Sequence, residues 1–162
     1  LWVLLPLILA TRLTGVDLSL AAFVMLGSGG LGCVLGGHAA RHWGSARVAA
    51  WCLGVSGLCC LVAPLLMHAP DALFFAWLLI WGITAAGDSP QFSTLTARNA
   101  PPLAVGSVLT LTNSIGFAIS TLSILLFVAL TDALPLGWLL TGLALGPALG
   151  WWAMRPLVRE RA

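Results

Sequence analysis

Apolar residues in this chain run in blocks rather than alternating with polar ones. Five blocks, at 18–37, 46–67, 72–95, 103–130 and 134–154, are separated by short polar breaks, and a shorter apolar stretch at 1–10 precedes them. A helix needs roughly 20 mostly apolar residues to cross the hydrocarbon of a bilayer, and a longer one can tilt. Each block meets that length. None shows the two-residue period of a membrane barrel strand, and in lipid only helices and closed barrels satisfy their own backbone hydrogen bonds. The pattern predicts an all-α integral membrane fold: one transmembrane helical domain over 1–162, ending in a tail at 155–162. The stretch 1–10 has half the length a span needs. No basic segment leads into it and no small-residue cleavage site follows, so it reads as an incomplete span rather than a secretory signal.

Composition agrees. Hydrophobic residues make up 60% of the 162 and charged ones 7%, with a mean hydropathy of +1.04. Soluble domains carry about 25% charged and roughly 45–50% apolar residues, so that class is excluded. The net charge of +2 is too small to point to nucleic acid. All the basic residues are arginines, and their placement carries more information than their number. Arg41 lies in the break at 38–44, Arg47 just beyond it, Arg98 in the break at 96–102, and Arg155, Arg159 and Arg161 in the tail. If the helices alternate, these six share one side. The other side holds only Arg12, with Asp17, Asp71 and Asp132. The positive-inside rule makes the arginine-rich side, and with it the C-terminus, cytoplasmic.

Small residues recur within the blocks. Gly29, Cys33 and Gly37 repeat at four-residue spacing, as do Gly32 and Gly36, and the last block carries Gly142, Gly146 and Gly150. Such rows let helix backbones approach closely in lipid. Pro64, Pro90 and Pro147 fall inside blocks and predict kinks. Cys33, Cys52, Cys59 and Cys60 all lie in apolar blocks without metal spacing and read as small buried hydrophobes; no metal site and no cofactor is expected. His38 and His42 share a helical spacing but have no carboxylate beside them, which fits an interfacial position. Trp43, Trp138, Trp151 and Trp152 sit near block ends, as an aromatic belt requires. No phosphate-binding loop, nucleophile elbow or metalloprotease helix occurs, so an enzyme is not expected.

The chemistry concentrates at Asp88, which heads the run Gly87-Asp88-Ser89-Pro90-Gln91-Phe92-Ser93 seventeen residues into the block 72–95. A charge within a span costs about 2.5–3.5 kcal/mol on insertion scales, so such residues usually face a cavity or a partner. Folding the blocks 72–95 and 103–130 as a hairpin about Asn99 and Ala100 brings Asp88 level with Thr110, with Asn113 one turn deeper. Asp88, Gln91, Thr110 and Asn113 are the candidate substrate or coupling residues, with Ser93, Thr94, Ser107, Thr112 and Ser114 in the same zone. One reading is a polar pocket or proton-coupling site. The other is hydrogen-bonded glue between helices, with Asp88 tied to Arg98 or capping a break at Pro90.

Three segments resemble a known family. The run from Gly36 to Arg47 stands where the major facilitator superfamily has its cytoplasmic loop signature Gly-x-x-x-Asp-Arg-x-Gly-x-Arg-Arg; Gly37, Gly44 and Arg47 match, while Arg41 replaces Asp and His42 replaces Arg. The run from Gly87 to Leu95 is similar to the Ala-Asp-Ser-x-Gln-Phe-Ser segment in tenth helices of a bacterial subset of these transporters, and Gly106 to Phe117 resembles their eleventh helix. The resemblance covers essentially the whole chain, from within the family's seventh helix to its twelfth. It implies a six-helix C-terminal bundle with an incomplete first helix, half of a secondary active transporter that moves a small solute by alternating access. The implied partners are the solute, the bilayer and the missing N-terminal half, and the implied location is a bacterial inner membrane. A non-transporting membrane scaffold or partner-binding subunit that assembles through its glycine faces is the alternative.

The orientation is open to labelling. A cysteine introduced at Arg159 should be shielded from an impermeant thiol reagent in intact cells, and one at Asp132 should react. The reverse pattern would overturn the topology.

Overall fold

The computed structural model describes residues 2–131 and 133–160; Asp132, Arg161 and the Arg159 side chain lie outside what it describes. Every regular element among the described residues is helical: α1 (Leu5–Leu9), α2 (Gly15–Trp43), α3 (Ser45–Leu61), α4 (Ala63–Leu66), α5 (Asp71–Gly87), α6 (Ser89–Asn99), α7 (Val105–Leu130), α8 (Leu136–Gly142) and α9 (Leu145–Glu160). Four rods are long and apolar enough to cross a membrane: Gly15–Trp43, Asp71–Asn99, Val105–Leu130 and Leu136–Val158. The block 46–67 differs. Its helix α3 stops after 17 residues, about 25 Å, and needs α4 to complete a crossing.

The prolines explain the interruptions. A proline has no N–H to give and crowds the carbonyl four residues back, which weakens a helix just before it, although α9 runs on through Pro156. The rods break at Val62, Asp88 and Leu143–Ala144, two to four residues ahead of Pro64, Pro90 and Pro147. The polar stretch 38–44 behaves otherwise. With no proline to stop it, α2 continues to Trp43, so Arg41 and His42 occupy its last turn, where cations favour the helix dipole. Only Gly44 makes the turn, at φ +82°, a left-handed conformation suited to glycine.

Packing centres on α5. Phe74, Trp77, Leu78 and Trp81 are buried against α3, α4 and the small wedge α1, whose Ile8 and Leu9 are 0% exposed. The Trp81 indole N–H donates to Ser56 Oγ at 3.2 Å and that of Trp77 to the Cys59 carbonyl at 3.1 Å, locking α5 onto α3. Arg12 ties the segment after α1 to the connection between α4 and α5. It pairs with Asp71, donates to the carbonyls of Met67 (2.8 Å) and Ala69 (2.5 Å), and lies 4.5 Å over the Phe74 ring.

The closest contact is between α2 and α5. Gly29, Gly32 and Gly36 are the buried glycines of α2. A Cβ on Gly29 would meet the Trp2 ring at 2.9 Å, and one on Gly36 the Gly87 carbonyl oxygen at 2.9 Å; one on Gly32 would intrude on the Ile83 carbonyl. The contact thus draws one glycine from the first row and both from the second, at spacings of three and four. Gly37 meets nothing. Gly150 of α9 accepts Leu53, whereas Gly146 of α9 and Gly142, at the end of α8, stand open.

Gly32→Ala should therefore force two backbones apart and cost about 1–3 kcal/mol or more. Gly30→Ala, on the same helix with nothing within 4 Å, should be neutral or stabilising by up to about 1 kcal/mol through helix propensity. Thermal unfolding of both variants in detergent tests this, and equal melting temperatures would remove the close approach.

Candidate functional site

Asp88 occupies the break between α5 and α6, and the local chain explains how. Pro90 cannot donate to the Ala86 carbonyl four residues back. The Cys33 thiol on α2 lies 3.4 Å from that oxygen and donates to it instead. Inside a bilayer a freed carbonyl must find such a partner from a neighbouring helix. Beyond the break, the Asp88 carbonyl accepts from the N–H groups of Gln91 (2.9 Å) and Phe92 (3.1 Å), starting α6. Close packing of Gly87 on Gly32 holds the break against α2, where a Cβ on Gly87 would lie 3.1 Å from the Gly32 oxygen.

The Asp88 carboxylate is half-buried and accepts a hydrogen bond from Ser89 Oγ at 3.3 Å. It opens onto a cleft of about 490 Å³ between α6 and α7. Ser89, Phe92, Ser93 and Thr96 complete the wall on α6; Leu109, Thr112, Asn113, Gly116, Phe117 and Ser120 form the wall on α7. The α7 positions recur at three- and four-residue intervals and so share one face. Arg98 lies ten residues further along α6, about 15 Å away along the helix axis, out of reach of Asp88.

Of the four residues singled out from sequence, the fold brings Asp88 and Asn113 to the cleft together. Gln91 is turned away: it is 2% exposed and packs toward Gly36 of α2, whose added Cβ would lie 3.6 Å from its Nε2. Thr110 is also off the cleft face, exposed, with its hydroxyl donating to the Gly106 carbonyl of its own helix at 2.9 Å. Thr94 likewise serves its own helix by donating to the Pro90 carbonyl. Ser93 and Thr112 do reach the cleft, and Ser107 and Ser114 do not line it. The connection after α6 accounts for part of the shift. It runs over 100–104, where Pro101 and Pro102 bar a helix, so the residue level with Asp88 falls near Gly116 rather than Thr110. Ser89, Thr96 and Ser120 were legible only by projecting a 3.6-residue period from Asp88 and Asn113.

The segment from Gly37 to Arg47 forms no single site. Arg41 is exposed on the last turn of α2, Gly44 makes the turn, and Arg47 lines a hollow between α3 and α9. The rings of His38 and His42 stack edge to face, 5.4 Å apart. Among the described residues no three His, Cys, Asp or Glu side chains converge to hold a metal. Chemically, the α6–α7 cleft offers one carboxylate, a carboxamide and several hydroxyls between two aromatic rings, a set that can hydrogen-bond a small polar solute or carry a proton. No family model, curated protein or solved structure matches the chain.

The substitute hydrogen bond at the break is testable. Cys33→Ser keeps a donor for the Ala86 carbonyl and should retain stability, whereas Cys33→Ala removes it and should cost about 1 kcal/mol. Equal unfolding temperatures for the two variants would show that the thiol is not needed there.

Proposed function

We propose that this chain is half of a secondary active transporter of the major facilitator kind, with the α6–α7 cleft forming part of the wall of the solute path. The observation that carries the reading is the placement of Asp88. It is the only acid within any of the five apolar blocks, and the fold sets it at a helix break facing Asn113 and Thr112 across a cleft. Broken helices at membrane depth are tolerated where they line a cavity, and transporters build substrate and ion sites from such breaks. In this reading Asp88 either contacts the solute or carries the coupling proton, and Asn113 fixes the solute's orientation. The arginine-rich end faces the cytoplasm of a bacterial cell, and a second bundle supplies the opposite wall. The scaffold alternative draws on the glycine faces; of these, Gly29, Gly32 and Gly36 of α2 are already occupied by α5 and Trp2, while Gly37, Gly142 and Gly146 stand open.

The test uses the complete protein in vesicles that enclose a pH-sensitive dye, challenged with a panel of small organic solutes. A residue kept against an insertion cost of about 2.5–3.5 kcal/mol must contribute more than that, so Asp88→Asn should lower saturable flux at least about tenfold. Membrane abundance should stay unchanged. Undiminished flux, or a parallel loss of abundance, would assign Asp88 to structure.

A further inference from the structure

Two hollows larger than the cleft at Asp88 lie elsewhere among the described residues. Helices α3 and α9 run side by side, and along their outer seam lie two adjoining hollows of about 620 and 740 Å³ that share Gly54, Leu58 and Trp151. Gly54 creates the depth, since a Cβ there would meet nothing within 4 Å. The seam opens sideways, where a bilayer would lie: Trp51 is 71% exposed and Leu58 60%. Its walls are almost wholly apolar, except at one end. There Arg47, near the start of α3, and Arg155, near the end of α9, line the hollows, and the Arg155 guanidinium is held 4.3 Å over the Trp151 ring.

The dimensions match one leaflet. From Arg47 to Leu58 is eleven residues of helix, about 16 Å, close to half of a roughly 30 Å hydrocarbon core. Basic groups at the rim of an apolar seam between membrane helices complement an anionic lipid head group. A second copy docking through the same seam about a two-fold axis would bring these arginines up against their own equivalents, which charge disfavours. A neutral lipid offers the Arg155 guanidinium at the rim no counter-charge.

We propose that the seam between α3 and α9 binds one anionic phospholipid from the leaflet at the arginine-rich end. Its phosphate sits between Arg47 and Arg155, and one acyl chain runs along Gly54 and Leu58. The site is independent of the transport reading, because no residue of the α6–α7 cleft takes part.

Native mass spectrometry of the protein in detergent tests it, with dioleoyl phosphatidylglycerol and dioleoyl phosphatidylcholine as paired probes and glycerol phosphate as the head group without chains. The wild type should retain the anionic lipid about fivefold more tightly than the neutral one. Arg47→Gln with Arg155→Gln should abolish that preference, and Gly54→Leu, which fills the seam, should lower retention of both lipids. Arg155→Lys should keep the preference where Arg155→Gln reduces it, a comparison that holds if the double variant does not fold. Equal retention of the two lipids by the wild type, a preference that survives the double variant, or full competition by glycerol phosphate would overturn the proposal. So would a dimer that Gly54→Leu dissolves, which would give the seam to a second copy.

Discussion

With no side chain on Gly32, the backbone of α2 comes up against the Ile83 carbonyl of α5, and the neighbouring contacts at Gly29 and Gly36 continue that approach along the helix. Where water is absent, helices gain nothing by hiding apolar surface from one another, so association depends on how closely the backbones and small side chains fit. This contact brings Cys33 within hydrogen-bonding distance of the Ala86 carbonyl. It also fixes the azimuth of α5 so that Trp77 and Trp81 turn to α3 and reach Cys59 and Ser56. The break at Asp88 is tolerated because α2 is near enough to satisfy what Pro90 leaves free.

The three prolines that follow helix breaks serve the fold in different ways. At Pro64 the break leaves α3 too short to cross a membrane alone and sets α4 against α8. Pro90 produces a half-buried carboxylate facing a cleft. Pro147 lies on the seam with α3, where a Cβ on Gly57 would approach its ring at 3.2 Å. One covalent fact, the missing N–H, yields a short rod, a polar site and a shaped outer surface because the neighbours differ.

Helix α7 contrasts with the rest. It has no buried residue, and its main contact is with α6. Its hydroxyls at Thr110, Thr112, Thr121 and Ser123 donate to carbonyls of their own helix, so they add little to interhelical binding. Elements with few buried contacts move at the lowest free-energy cost. The cleft is therefore built from one firmly held wall, α6 against α2 and α3, and one lightly held wall, α7.

How much was legible depended on what each signal encodes. Block length and the lack of alternation determined helices of spanning length, and the prolines determined where three of them break, because both effects are local to a single segment. Asp88 and Asn113 were readable as a pair because counting residues out from a turn gives depth to within a turn or two of helix, although Pro101 and Pro102 move the turn and carry the level of Asp88 from Thr110 to near Gly116. Azimuth did not follow. Gln91 lies only three residues from Asp88 yet turns into the α2 contact, and Thr110 lies two from Thr112 yet faces away from the cleft. The glycines of α2 offered two rows at four-residue spacing, and the face that packs combines them. The anchoring of Arg12 on Met67, Ala69 and Asp71 joins residues more than fifty positions apart. A helix in an apolar medium carries hydrophobic residues all round, so its composition records the solvent and its length; only the fit of one backbone against another decides which face turns inward.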